Sequence, residues 1–81
     1  MEGSVDLSRV DDAKLHGSLT GGVLSLWGPT GLHLIGTVGI DGGFVLYESG
    51  SAFAHGRVER DGSINAKDTE GRSYDGRVMG R

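Results

Sequence analysis

The sequence predicts a small all-β protein of one domain, built from hairpins that repeat about every twenty residues. Glycine supplies 16 of the 81 residues, against a usual share of about 7%. The glycines alternate with short runs of Val, Leu, Ile and aromatic residues, which is typical of short strands joined by tight turns. A chain of this length supports a single core, and without cysteine it has no disulfide and no thiol chemistry.

The repeat becomes visible when the chain is aligned on Gly17, Gly36, Gly56 and Gly76, which we call the anchor glycines. They lie 19, 20 and 20 residues apart, and each is followed two residues later by Leu or Val. The repeat units therefore span approximately 15–34, 35–54 and 55–74, with 75–81 closing the last one. We treat 1–81 as a single all-β domain.

Turn signals separate the strands within each unit. Asp41-Gly42 and Asp61-Gly62 follow the second and third anchor glycines, and Thr20-Gly21-Gly22 takes the same place in the first unit. Asp-Gly between alternating apolar residues predicts a type I′ hairpin turn, which needs positive φ at both central positions. Extended runs follow these turns at 23–27, 44–48 and 63–68, and looser turns follow those runs at 28–31, 49–51 and 69–71.

These elements predict an antiparallel meander of about seven short strands, closed or curled as a small barrel, a sandwich or a β-flower. Side chains alternate between the two faces of a strand, so residues two positions from an anchor glycine share its face. Helix has a place only at Leu7–Lys14, where Ser8 could cap a short turn. The predicted core residues are Leu15, Leu19, Leu34, Val38, Phe44, Leu46, Ala54, Val58, Ile64, Ala66, Tyr74 and Val78.

The opposite face is apolar in the early units and charged in the last. No Asp, Glu, Lys or Arg occurs from Leu15 to Ile40, and Val45 and Tyr47 correspond to Asn65 and Lys67 in the last unit. An apolar second face on so small a protein predicts a contact surface, most simply with a second copy of the chain. The alternative is a sheet that curls into a two-layer sandwich and buries these side chains internally. The predicted contact residues are Trp27, Ile35, Val45, Tyr47 and Phe53.

The segments 56–64 and 70–78 read G-R-V-E-R-D-G-S-I and E-G-R-S-Y-D-G-R-V. This pattern resembles the repeats of the small bacterial β-flower proteins, in which β-hairpins radiate about a pseudo-symmetry axis. The resemblance covers Gly36 to Val78; the Tyr-Asp pair usual after the Asp-Gly turn is absent in this chain. It implies an architecture and no activity.

The histidines are the first candidates for chemistry. His16 and His55 both precede an anchor glycine, and Asp75 holds the same position in the last unit. If the units surround an axis, these three side chains could converge into a two-histidine, one-carboxylate metal site. The alternative is that period two places them on the solvated face, and no local ligand spacing such as H-x-H supports a metal. We therefore expect no metal and no other cofactor.

The acidic and basic residues have structural interpretations. Asp41 and Asp61 precede glycine in turns, where aspartate bonds locally, and Glu48 and Asp68 end strands at equivalent positions, where we expect a return to solvent. Three arginines and a tyrosine could form a surface for single-stranded nucleic acid, but nearby acids nearly cancel their charge. Cross-strand ion pairing is the favoured role for the three arginines, Arg57, Arg72 and Arg77, and the tyrosine of this group is Tyr74.

The sequence thus favours a non-catalytic, homo-oligomeric structural or protein-binding module. The alternative is a small-molecule-binding protein or minimal enzyme with a site at an oligomer axis, where His16, His33 and His55 would be the polar groups. The net charge of −3 disfavours nucleic acid, and no apolar run approaches the length of a membrane span. The first residues lack the pattern of a signal peptide, from which we expect a cytoplasmic protein.

Overall fold

Extended strands make up most of the protein in a computed structural model, which describes residues 2–9 and 13–80. One short 3₁₀ turn, Pro29–Gly31, interrupts them. The strands are β1 (Gly3–Arg9), β2 (Lys14–Thr20), β3 (Val23–Trp27), β4 (His33–Val38), β5 (Gly43–Glu48), β6 (Ser51–Val58), β7 (Ser63–Asp68) and β8 (Ser73–Gly80).

Each strand pairs antiparallel with its neighbours along the chain, and β1 pairs with β8 to close an eight-stranded barrel. The closing register places Val5 opposite both Gly17 on β2 and Val78 on β8. The predicted antiparallel meander is confirmed, and of its three proposed closures the barrel is the one that forms. Because every described strand is paired on both sides, none of them presents a free edge to another chain.

The first strand was not among the seven predicted. A helical turn over Leu7–Lys14 capped by Ser8 is wrong, because Leu7 and Ser8 belong to β1 and Lys14 begins β2. Residues 10–12 of that range lie outside the described residues. Leu7 lies in a strand rather than a helix because buried Val5 and Leu7 alternate with exposed neighbours, which is the period of a strand.

The barrel interior is filled by the residues that share a face with the anchor glycines. Nine of the twelve predicted core residues are buried, and Val38, Val58 and Ala66 are partly buried against them. Two strands whose core residues were not predicted, β1 and β3, add four more buried side chains. Each of them is no more than 1% exposed: Val5, Leu7, Leu24 and Leu26.

The anchor glycines mark places where one strand passes very close to the next. A Cβ built on any of them would overlap a backbone carbonyl oxygen of the adjacent strand, which no side-chain rotation could relieve. The glycines also lie beside large core residues: Gly17 opposes Leu26, and Gly36 opposes Leu24 and Leu46. Glycine at these positions lets a small barrel coil tightly while its neighbours fill the space of the missing side chain.

A second repeated device ties each hairpin to the next. The carbonyl of a turn glycine accepts a hydrogen bond from the amide of a valine that lies two residues beyond an anchor glycine. The same contact occurs three times, with N···O distances of 2.7–2.8 Å, in the pairs Gly22 and Val38, Gly42 and Val58, and Gly62 and Val78. The three turns therefore cluster at one end of the barrel, which we call the turn end.

The prediction of type I′ turns at the two Asp-Gly pairs is wrong. Among the described residues only Thr30 and Ser49 are non-glycine residues with positive φ, so Asp41 lacks the required conformation, although Gly42 has φ 87°. The Asp41 carboxylate instead accepts the Gly43 amide at 2.9 Å, and the amide of Gly42 donates to Gly39. Side-chain bonding of this kind stabilises a four-residue turn with positive φ only at the glycine.

No helix in the described part of the chain is long and apolar enough to cross a membrane.

Replacing Gly36 by alanine is expected to lower the free energy of unfolding by about 3 kcal/mol or more, because the new Cβ would overlap the Val45 carbonyl oxygen. The matched control is Gly39→Ala, whose Cβ would meet only a movable side-chain oxygen of Asp41 at 3.3 Å and a carbonyl oxygen at 3.7 Å. It should cost less than about 1 kcal/mol. Urea unfolding measures both; equal losses would contradict the close strand approach at the anchor glycines.

Candidate functional site

The most distinctive surface of the barrel is a charge-free apolar area on the outside of β3, β4 and β5. Its five large apolar side chains are 39–49% exposed: Val23, Trp27, Ile35, Val45 and Tyr47. We call these five residues the β3–β5 face. Ile35 lies opposite Tyr47, and Trp27 and Val23 project from the two ends of the strand beside Ile35, so the face is continuous across three strands.

Four of the five residues of the β3–β5 face were predicted from the sequence, and Val23 was missed. The strand containing Val23 has apolar residues at four of five positions, so only the register shows which of them point outwards. Leu24 and Leu26 point into the core and are fully buried. The period of two could have assigned Val23 to the outer face along with Trp27.

Phe53, the fifth predicted contact residue, lies apart from the face. The register between β5 and β6 shifts at Leu46 and Tyr47, so that Tyr47 opposes Ala52 and Leu46 opposes Ala54. Phe53 is the extra residue of this β-bulge, and its half-buried ring packs against the core. Its ring meets Tyr74 edge-on, with 6.4 Å between centroids.

Two histidines flank Trp27 on the barrel exterior. His16 on β2 and His33 on β4 lie opposite it on its two sides. The ring of His33 stacks on Trp27 with centroids 3.8 Å apart and planes 7° from parallel. The His33 Nε2 atom lies 3.0 Å from the Ser25 hydroxyl oxygen, a hydrogen bond that fixes the ring over its partner.

The metal site considered from the sequence does not form. His55 lies on β6 between Val45 and Lys67, whereas Asp75 lies on β8 between Asn65 and Ser8. Within residues 2–9 and 13–80 no three His, Cys, Asp or Glu side chains are grouped so that they could hold a metal ion. His16, His55 and Asp75 point outwards from different strands of the barrel, so the arrangement of the repeat units around the barrel separates them.

Ser25 and His33 have the spacing of a nucleophile and its base. Hydrolases that use such a pair orient the histidine through a third group and stabilise the oxyanion with free amides. No described carboxylate bonds to His33, and the amides of β3 and β4 belong to the sheet. The pair therefore positions the Trp27 stack and lacks the remaining parts of a hydrolytic site.

Asp68 is a buried carboxylate, so the expectation that it lies in solvent is wrong. Glu48, for which the same was expected, is exposed. The two oxygens of Asp68 accept hydrogen bonds at 2.8–3.0 Å from the amides of Glu70 and Arg72, the Arg72 guanidinium and the Tyr74 hydroxyl. Burial by itself raises the pKa of this carboxyl, but the four donors outweigh it and hold the pKa below its ordinary value.

The Asp68 carboxylate organises the β7–β8 turn. Its neighbour Tyr74 is buried and also accepts a 3.4 Å hydrogen bond from Arg9 on β1. Burial raises the pKa of Tyr74, which the Arg9 bond partly opposes. The signal in the sequence is an aspartate followed by glycine three residues later and arginine four residues later, a pattern that fits a side-chain-bonded turn.

The arginines considered for nucleic acid are bonded within the chain. Arg72 pairs with Asp68 at 2.8 Å and Glu70 at 3.2 Å, while Arg57 and Arg77 donate to the turn carbonyls of Asp41 and Asp61. Tyr74 is 3% exposed, so it cannot stack on a base. The expected cross-strand ion pairing is wrong for the described residues, because the ion pairs of Arg72 lie within its own turn and Arg57 pairs with Glu59 two residues along the chain.

A depression of about 720 Å³ lies at the turn end, between the β4–β5 and β6–β7 turns. Its volume is in the range of small-molecule sites, and Val38 and Val58 give it an apolar floor. Its charges oppose one another and mark no single ligand class: Glu2, Asp41, Glu59, Arg57 and Arg60.

Comparison with protein-family models, with curated proteins and with solved structures found no significant match to this chain. The resemblance to the β-flower repeats therefore stays a prediction.

Replacing Asp68 by asparagine is expected to cost about 3 kcal/mol of unfolding free energy, because the amide group would face donors rather than accept from them. The control is Asp75→Asn, an exposed carboxylate on β8, which should change stability by less than about 0.5 kcal/mol. Equal stabilities of the two variants in urea unfolding would show that the buried bonds of Asp68 contribute nothing.

The lowered pKa of Asp68 also predicts acid sensitivity. The stability that its ionised form contributes is complete above the ordinary carboxyl range, about pH 4, and is lost as the pH falls through the lower pKa of the folded protein. Unfolding free energies measured at decreasing pH below 4 should fall more steeply for the wild type and Asp75→Asn than for Asp68→Asn. Parallel curves for all three proteins would be inconsistent with this assignment.

Proposed function

We propose that this protein is a self-associating structural or binding module, in which the β3–β5 face packs against the same face of a second copy. The observation that carries the proposal is the cluster of five large apolar side chains, each 39–49% exposed, on one side of a barrel whose core is already filled. Contiguous exposed apolar surface of this kind marks an interaction site. Isolated exposed residues elsewhere, such as Ile40 and Met79, have no such neighbours on adjacent strands.

The closed barrel restricts how two copies could meet. Its described strands have no free edge, so addition of a strand from another chain is disfavoured. Association must then bury side chains on the outside of the sheet, as in face-to-face packing. The β3–β5 face offers the aromatic residues that dominate such contacts, Trp27 and Tyr47.

Charge favours a second copy as the occupant. A two-fold contact places each patch against itself, so any charge in the patch would meet a like charge. No charged residue occurs from 15 to 40, which covers β3 and β4 entirely, whereas the chain as a whole carries −3. The β3–β5 face is therefore the surface on which two copies meet without like-charge repulsion. We keep the cytoplasmic location predicted from the sequence as part of this proposal.

The test compares two variants that each add one negative charge at an exposed apolar site. Ile35→Glu changes the β3–β5 face, and Met79→Glu changes β8, which β1 and β2 separate from β3. In sedimentation-velocity measurements the wild type and Met79→Glu should form dimers, and Ile35→Glu should remain monomeric with unaltered unfolding free energy. Loss of one buried contact of this type weakens association about 30-fold or more.

Trp27 supplies a second measurement. It is 49% exposed in a single barrel, so association should shift its emission to shorter wavelength as concentration rises. Wild-type protein that stays monomeric at high concentration, or Met79→Glu disrupting the dimer as strongly as Ile35→Glu, would overturn the proposal. A face that binds only another protein would give a monomer in both measurements.

A second candidate function is small-molecule binding at the turn end. The depression there favours it by its volume of about 720 Å³ and its apolar floor. Ligands that raise the melting temperature should perturb the amide resonances of 39–42 and 58–60, which line the depression. Perturbations confined to other parts of the barrel would contradict binding at this place.

A further inference from the structure

All three histidines of the chain border the β3–β5 face. His16 and His33 oppose Trp27, and His55 opposes Val45. His33 is the one held within the face: it is half-buried, stacked on Trp27 and bonded to Ser25. Histidine is the side chain that most readily changes charge between about pH 5 and 8.

The surroundings of His33 contain no described carboxylate in ion-pairing contact with it. From β3 it faces Trp27 and Ser25, and along β4 its neighbour on the same face is Ile35. The adjoining Pro29–Gly31 turn is uncharged. On the β5 side the titratable groups are Tyr47 and, at the end of the strand, the exposed Glu48.

The other two histidines lie beside charged groups at the margins of the face. His16 opposes Asp6 on β1 and has Lys14 next to it on the same side of β2. His55 opposes Lys67 on β7 and is followed on its own side of β6 by Arg57. Protonation of His16 or His55 therefore adds a positive charge to a part of the surface that already carries charged side chains.

We propose that protonation of His33 releases the second copy from the β3–β5 face, so that the protein is dimeric at neutral pH and monomeric in mild acid. This inference rests on the proposed self-association. A two-fold contact would bring two imidazolium ions, one from each copy, into a surface that has no charge to compensate them. In the separated monomer the ion remains hydrated on one side and keeps a favourable position over the Trp27 ring.

The direction follows from proton linkage. The dimer contains His33 in its neutral form, so dissociated chains bind more protons and acid favours dissociation. For each histidine that must be neutral in the dimer, the dissociation constant should rise at most about tenfold per unit fall in pH, hence up to about 100-fold per unit for the pair.

The experiment measures the dissociation constant by sedimentation of the full chain from pH 8 to pH 5. The wild type should weaken by about 100-fold or more over this range. His33→Gln and His33→Phe, of which the second retains a ring over Trp27, should lose this dependence. His16→Gln and His55→Gln are the matched controls and should behave like the wild type.

A measurement on a monomeric variant tests the protonation of His33 independently of the proposed dimer. In Ile35→Glu, protonation of His33 should quench Trp27 fluorescence as the pH falls, and His33→Phe in the same background should abolish that transition. A wild type that is monomeric at every pH would overturn the self-association itself. A dimer with no pH dependence, or full dependence in His33→Gln and His33→Phe, would overturn the role of His33 and leave the dimer standing.

Discussion

The structure depends on the absence of a side chain at four repeated positions. Each anchor glycine points into the barrel where the backbone of the adjacent strand passes so close that a Cβ would overlap its carbonyl oxygen. This approach lets eight short strands coil into a closed barrel with Leu, Ile and Phe side chains beside the glycines. Closure in turn leaves the described strands without a free edge, so the contact proposed above uses the outer face of the barrel.

The repeat fixes the backbone and leaves the outer face free to vary. The Val–glycine hydrogen bond recurs three times with nearly the same length, although the units carry different exterior residues. Val45 and Tyr47 on β5 have Asn65 and Lys67 as their counterparts on β7. The barrel thus combines a uniform frame with one apolar, uncharged side and one charged side, and that asymmetry is the basis of the proposed contact.

Much of the frame could be predicted from the sequence because it rests on local periodicity. The glycine spacing and the alternation of apolar residues gave the bounds of β3 and β7 and most of the core. β1 was missed because its alternating Val5 and Leu7 lie outside the glycine repeat. The Asp-Gly turns were given the wrong type because the side-chain bond of Asp41, rather than the preference of the dipeptide, decides the conformation.

The candidate site was predictable in part for the same reason. Register alone places Trp27, Ile35, Val45 and Tyr47 on one side, and the early units lack charge in the sequence itself. Phe53 could not be placed, since a one-residue bulge changes its environment without changing the pattern. The spacing of Asp68 and Arg72 indicates a side-chain-bonded turn, but it does not show that Arg72 and Tyr74 cover the carboxylate and bury it.

The most direct test of the central claim is an isotope-filtered NMR experiment on mixed ¹³C-labelled and unlabelled protein at neutral pH, which detects contacts between copies only. The account predicts intermolecular contacts from the Ile35 and Val45 methyl groups to the Trp27 and Tyr47 rings of the second copy. Intermolecular contacts that instead involve Met79 or Ile40, or none at any concentration, would contradict it.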